Sequence, residues 1–399
     1  MHITTLALTL SLVPSCGPES ESPINFSLVG EPIPVGPMAG TPVLEDFDGD
    51  GDLDIAVVCG PCCGREPDPD SGHLRVLLND GTGNLTYAGE SIKIGETSLG
   101  AAAGDINHDG VMDLTCYQHS SYELAFLLGD GDGTFGQPTY VAVKDSGDPH
   151  VHSVALADVN GDGNLDALAT LINDHALAVL LGDGKGGFKP APHQPYFAHQ
   201  HPYAQLEIAD LTGDGNPDAC MTDMRGGAIT VLAGLGNGAF VTSNGFHFGP
   251  HTPVTAFERP MALQLADLDN DGDLDAVAIA DESPMATVLL NHGKGHFIER
   301  SSQSVQLAVA TTSLALADLN SDGNADLITG GVGRSSESRI AITLGNGDGT
   351  FSASFPTQTR GDSPSPAIGD MNGDGLPDIV TGNYDSGNIS VLLQTAHGE

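Results

Sequence analysis

The chain has 399 residues, with 13 Lys and Arg against 53 Asp and Glu, and a formal charge of −40 with His neutral. That balance excludes nucleic acid as a main partner and simple electrostatic docking on an anionic membrane, since both depend on Lys and Arg. Apolar residues reach 39 %, so a core is within reach and the acidity does not signal disorder.

Residues 3–13 form a short apolar segment, followed by Pro14, Ser15 and Cys16. Its length suits an export h-region and is too short for a membrane span. Residues 1–15 are therefore expected to be a signal peptide, and the protein to be secreted or held at the cell surface. Residues 13–16 (VPSC) resemble a bacterial lipoprotein cleavage box with Cys16 as the lipidated residue, although no Lys or Arg precedes the segment and Pro14 departs from the pattern. An ordinary signal peptide cut nearby is the alternative. Membrane contact is expected only through a lipid on Cys16, and residues 16–25 read as a short polar tether.

From about residue 26 onward an internal repeat dominates. The pattern D-x-[D/N/T]-x-D-G-x-x-D occurs seven times, starting at Asp46, Asp105, Asp158, Asp210, Asp267, Asp318 and Asp370, at intervals of 51 to 59 residues. Each unit reads as four short strands. One apolar stretch precedes the acidic loop, as in 154–157 (VALA). A second follows the last Asp, as in 276–279 (AVAI), and a third follows a variable loop, as in 178–181. Then comes a Gly-rich turn, as in 129–135 (GDGDGTF) and 345–351 (GNGDGTF), and a more polar fourth strand. Runs of four to six apolar residues bounded by Gly, Asp and Asn are strand and hairpin grammar, with no long helical period. The fold expected over 26–399 is all-β, a seven-bladed β-propeller in one domain. Residues 25–36 (NFSLVGEPIPVG) are similar to the fourth strand of other units, and the chain ends after a third strand. The N-terminal strand is therefore expected to close the last blade, which disfavours an open solenoid.

Seven such loops in register, each followed by a strand and a Gly-rich turn, resemble the FG-GAP/VCBS repeat family, whose propellers are similar to the N-terminal head of integrin alpha subunits. The resemblance covers residues 26–399. It implies the propeller fold and calcium in the hairpin loops, and it implies no single activity.

The residues point to calcium in their own right. Ca2+ takes six to eight oxygens, and the loop offers side chains at positions 1, 3, 5 and 9, a backbone carbonyl at 7 and a Gly at 6 for the sharp turn. The first set is Asp46, Asp48, Asp50 and Asp54, with Asp52 at the carbonyl position. The second is Asp105, Asn107, Asp109 and Asp113, and the third Asp158, Asn160, Asp162 and Asp166. The fourth is Asp210, Thr212, Asp214 and Asp218. The fifth is Asp267, Asp269, Asp271 and Asp275, with Asp273 at position 7. Asp318, Asn320, Asp322 and Asp326 form the sixth, and Asp370, Asn372, Asp374 and Asp378 the seventh. Asx turns alone would account for one such loop, but not for 23 carboxylates gathered in seven places, where mutual repulsion would raise their proton affinity. Up to seven Ca2+ ions are expected, tightest in loops one and five and weakest at Thr212. Full occupancy would move the charge from −40 to −26.

Cys59, Cys62 and Cys63 cluster around an insertion at 60–72. A disulfide within it, or from Cys62 or Cys63 to Cys116, is expected in an oxidising compartment, with Cys220 as a buried apolar residue. The face opposite the acidic loops collects His119, His150, His152, His175, His199 and His201, with Tyr203, Asp174, Asp223 and Arg225. Glu258, Arg259, Asp281, Glu282, Asp362, Tyr384 and Asp385 join them from later blades. These read either as scattered surface residues or as a site for a transition metal, for pH-dependent recognition or for a sugar. No nucleophile elbow, H-E-x-x-H or phosphate loop is present, and no catalytic or organic-cofactor residues are assigned. The function expected is a monomeric, calcium-stabilised recognition or adhesion module for an extracellular glycan or protein. A scaffold without specific ligand is one alternative, and a secreted hydrolase or lyase using the His and Asp face is another.

Overall fold

The computed structural model describes residues 24–60, 71–95, 97–119, 121–145, 149–198, 201–241, 247–248, 259–281, 283–295, 297–331 and 338–395. The chain forms seven antiparallel sheets of four or five strands, one per repeat. In the third, Val151–Ala157, Asp166–Leu171, Ala176–Gly182 and Phe188–Pro190 pair in sequence order. The first strands of successive blades are neighbours around a ring, and Val43–Glu45 of blade one lies beside Pro364–Gly369 of blade seven. The fold is thus a closed seven-bladed β-propeller.

Closure uses the N-terminal strand. Asn25–Leu28 pairs antiparallel with Asn388–Thr395, with Asn25 opposite Thr395 and Leu28 opposite Leu392, and Ile33–Pro34 adds to the same strand. Ile24, just ahead of it, is already buried in the core.

The hydrophobic pattern explains why the blades stack. Second strands such as Asp54–Cys59 and Asp275–Ala280 are buried along their whole length, because each packs against a neighbour on both faces. The core is divided into seven clusters, each shared by two adjacent blades. Aromatic pairs fill three of these seams: Phe47 with Phe135 at 5.6 Å, Phe126 with Phe188 at 4.0 Å, and Tyr196 with Phe240 at 5.8 Å. Near the axis, side chains cross from blade to blade. Leu206 N–H donates to Ser153 Oγ, Leu263 N–H to Gln205 Oε1, and Leu316 N–H to Gln264 Oε1.

The cysteine expectations need correction. Cys116 is a free thiol, fully buried in the seam between blades one and two, so it makes no bridge to Cys62 or Cys63. Cys59 is likewise a free, buried thiol in the seam of blades seven and one. Burial pushes both thiols up to about 12 and leaves them unreactive small apolar residues. Cys220 is the buried apolar residue expected of it. Cys16, Cys62, Cys63, the export segment and the tether up to residue 23 lie outside the described residues. No helix among the described residues is long and apolar enough to cross a membrane.

Candidate functional site

All seven acidic loops join the first and second strands of their blades, so they lie on one face of the propeller. Their internal geometry repeats. The carboxylate at position 1 accepts the N–H of the position-6 Gly: Gly51 to Asp46 at 3.0 Å, Gly110 to Asp105 at 2.9 Å, Gly163 to Asp158 at 2.8 Å. Asp210, Asp267, Asp318 and Asp370 do the same. The position-5 carboxylate accepts the position-7 N–H in every loop, at 2.9 Å. The position-6 Gly has φ between +84° and +97° throughout, a region that L side chains avoid.

The last Asp of each loop behaves differently. Asp54, Asp113, Asp166, Asp218, Asp275, Asp326 and Asp378 are all fully buried. Each clamps two backbone amides, one at position 2 of its own loop and one at the end of the third strand. Asp275 accepts Leu268 N–H at 2.9 Å and Asn291 N–H at 2.7 Å, and Asp378 accepts Met371 N–H at 2.8 Å and Gln394 N–H at 2.7 Å. Burial pushes Asp54, Asp166, Asp275, Asp326 and Asp378 up to about 6 against the pull of those amides. Asp113 and Asp218 move up for the same reason. Burial thus outweighs the mutual repulsion expected from the sequence, although neighbouring carboxylates add to the shifts of Asp54, Asp113, Asp166, Asp275, Asp326 and Asp378.

Position 2 carries a function the acidic pattern does not mark. Phe47, Ile106, Val159, Leu211, Leu268, Leu319 and Met371 are all buried apolar residues. Their carbonyls accept hydrogen bonds from the next blade. Gly133 N–H donates to Phe47 O, Gly186 to Ile106, Gly238 to Val159, Gly295 to Leu211 and Gly349 to Leu268. Side-chain amides complete the ring, Gln394 to Leu319 O and Asn79 to Met371 O. The recurrent apolar residue beside each first Asp was the available signal. Each acidic loop is therefore also a joint between blades.

Oxygen-rich loops of this kind fit a hard divalent cation. The fit is clearest in loops one and five, where Asp46, Asp48 and Asp50, and Asp267, Asp269 and Asp271, bring one oxygen each within 4.8 Å of one another. The other loops carry Asn107, Asn160, Thr212, Asn320 or Asn372 at position 3, with Asp at positions 1 and 5. Thr212 donates its N–H to Asp218 at 2.9 Å.

On the opposite face three of the histidines come together. His119, after the second strand of blade two, meets His150 and His152 at the start of blade three. The His119 ring lies 4.4 Å from each of the other two, and one nitrogen of each lies within 4.8 Å of the others. Tyr203 packs 4.0 Å from the His152 ring and Tyr117 6.4 Å. His119 is 4 % exposed and His152 8 %. Burial, with the neighbouring imidazoles, pushes His119 down to about 3 and His152 well below its ordinary value. His201 stacks on Tyr203 at 6.0 Å and is lowered by burial too.

Five acidic residues of that face make local contacts. Asp174 pairs with Lys144 at 2.6 Å and Asp281 with Arg259 at 2.9 Å. Asp223 caps a turn through Gly226 N–H, Asp362 accepts from Ser338 Oγ, and Asp385 accepts from Ser363 Oγ. His199, Glu258 and Glu282 lie outside the described residues. Glu207 on an innermost strand was not anticipated; burial pushes it up to about 7.

Residues 35–116, 117–169, 210–278, 267–329 and 331–381 match the FG-GAP-like repeat. The chain belongs to this family. Its acidic loops, seven blades and N-terminal closing strand are those of an FG-GAP propeller of the kind found in integrin alpha heads. No curated protein matches the sequence. Among solved structures, the chain is similar to an Agrocybe aegerita lectin described as recognising non-reducing terminal N-acetylglucosamine, at 20 % identity and TM-score 0.55 over 88 % of this chain and 87 % of that one. It is also similar to BBS1N crystallised with ARL6DN, at 10 % identity and TM-score 0.60 over 92 % and 96 %. A streptogramin B lyase matches at 13 % identity and TM-score 0.58 over 93 % and 98 %. Identities this low establish a shared fold alone.

Proposed function

We propose that this FG-GAP propeller is a calcium-stabilised interaction scaffold. Ions on one face would lock the blades together and leave the other face to meet a partner. The observation that carries the reading is the repetition of one oxygen-rich loop geometry in all seven blades, with each loop's position-2 residue bonded to the next blade. Asp46, Asp48, Asp50 and Asp54, with the corresponding sets in the other six loops, would hold the ions. Calcium binds the folded state, so it stabilises by linkage.

The narrower form is a secreted or surface-held module that recognises a glycan or a protein. It draws on the export-like residues 1–15 and on the loop affinities typical of extracellular calcium modules. The fold itself is shared with a lectin, a protein-complex subunit and a lyase, and so does not choose among partners.

Thermal unfolding of metal-free protein, titrated with Ca2+, tests the scaffold. The melting temperature should climb with calcium and fall again with chelator. An unchanged melting temperature refutes calcium stapling. Glycan and protein screens with the calcium-loaded chain test the narrower form, and no binding in either refutes it.

A further inference from the structure

We infer that His119, His150 and His152 form a second, separate metal site, a three-histidine centre for a divalent transition-metal ion of the zinc class, on the face opposite the acidic loops.

The geometry assembles it from two blades. His150 and His152 flank Val151 where the strand Val151–Ala157 begins, and their rings come to lie side by side. His150 has φ of +56°, as Met38 and Arg259 have near +60° at the equivalent place in their blades, so this bend belongs to the repeat and sets where the ring leaves the chain. Their rings run nearly parallel, 6.0 Å apart with planes 10° from each other, and the His119 ring sits 4.4 Å from each. One nitrogen from each ring falls within a 4.8 Å triangle. Nitrogens around a tetrahedral ion with bonds of about 2.0–2.1 Å stand about 3.3 Å apart. Side-chain rotations of an ångström or so close that difference.

A second observation comes from His152. It is 8 % exposed, and neither of its ring nitrogens has a hydrogen-bond partner outside its own residue. Stacking alone would be served by Phe or Leu at no such cost, whereas a buried imidazole left without a partner is unfavourable. A bound cation removes the difficulty. Burial also keeps the rings neutral, the form that ligates metal. The walls are Tyr203 and Tyr117, and His150 is only partly buried, so a fourth ligand position is reachable from solvent. Imidazole donors favour zinc, copper or nickel over calcium, so the two kinds of site sort different ions.

The site does not depend on the calcium reading, and the test keeps the two apart. Full-length, tag-free protein is saturated with Ca2+ and titrated with Co2+, a coloured stand-in for zinc. The expected result is one equivalent bound, with the visible absorption of a four-coordinate nitrogen site, displaced by Zn2+. His150→Gln and His152→Gln should each weaken binding by about tenfold or more, while the calcium-dependent rise in melting temperature stays. His150→Gln is the safer variant, since His150 is partly exposed. In wild-type protein with calcium in excess, Zn2+ should also raise the melting temperature, a readout independent of any variant. Co2+ binding that survives both substitutions, or no Zn2+ shift under calcium, overturns the proposal.

Discussion

Replacing Asp275 by Ala separates the clamp from the metal. The carboxylate is fully buried and accepts two backbone amides, Leu268 N–H at 2.9 Å and Asn291 N–H at 2.7 Å. Ala leaves both donors buried without a partner. An orphaned buried donor costs about 1–3 kcal/mol, so two cost about 2–6 kcal/mol. Removing a carboxylate that burial pushes up to about 6 offsets part of that loss at pH 7. The expected net loss is about 2–4 kcal/mol, or roughly 3–5 °C in a domain of this size. The loss should appear in metal-free protein, because it arises from backbone hydrogen bonds. Asp269→Asn is the control: the same position holds Asn107, Asn160, Asn320 and Asn372 in four sister loops. It should change metal-free stability by no more than about 0.5 kcal/mol and weaken calcium binding. Melting and urea unfolding are measured with metal removed and again with calcium. If metal-free Asp275→Ala is as stable as wild type, the clamp reading is wrong.

Three further outcomes follow from the same geometry. At position 4, His108, Asn270 and Ser321 already adopt φ of 58° to 61°, whereas Gly at position 6 lies beyond 84°. Gly373→Asn, where a Cβ meets nothing within 4 Å, should therefore be nearly neutral and Gly375→Ala, equally open, cost about 1–2 kcal/mol by urea unfolding, and equal losses would refute the distinction. The buried Asp residues have folded-state values near 6, above the ordinary carboxylate value of 3.8, so their contribution to metal-free stability is present at low pH and lost as pH rises toward and through 6. His119, lowered to about 3, works oppositely: its contribution is present above about 6.5 and lost as pH falls toward 3. Since calcium needs the ionised carboxylates, its stabilisation of dialysed, metal-free protein should be larger at pH 7.5 than at pH 5, and an equal or larger effect at pH 5 contradicts this. A chain starting at residue 36 lacks the pairing of Asn25–Leu28 with Asn388–Thr395. It should melt lower than one starting at residue 24, with aggregation through the opened edge seen by size-exclusion chromatography, and indistinguishable behaviour would count against closure by this strand.

The sequence revealed the period most clearly because oxygen ligands must be delivered at fixed spacing. Asp at positions 1, 5 and 9 cannot drift without losing the turn, so the repeat survives loops of different length between its copies. The closing strand was legible for a similar reason: residues 25–36 have the composition of a fourth strand. What stayed hidden were relations between blades. Nothing local says that Leu268 O receives Gly349 N–H, or that His119 meets His150. The apolar residue at position 2 was visible as a pattern, but its carbonyl's partner lies a whole blade away. Likewise the H-x-H spacing of His150 and His152 is visible locally, and only stacking of blade two on blade three supplies the third ring. Asp275 shows a different limit, since its type suits both a metal ligand and a backbone clamp, and burial decides how it is used.

These relations give the acidic loops a role larger than holding ions. Position 2 is bonded through its N–H to the loop's own last Asp and through its O to the next blade. A cation that fixes positions 1, 3 and 5 therefore also fixes the point where the neighbour docks. On the proposed reading, losing one ion would loosen two blades, and the same link between position 2 and the next blade occurs around the whole ring. On the opposite face the recurring backbone bonds among the described residues, such as Ile172 N–H to His150 O and Asp281 N–H to Arg259 O, stay within one blade, and the residues around them differ from blade to blade. Order is concentrated on one face and chemical variety on the other, which is the arrangement an interaction scaffold requires: the ring stays fixed while the residues that meet a partner are free to vary.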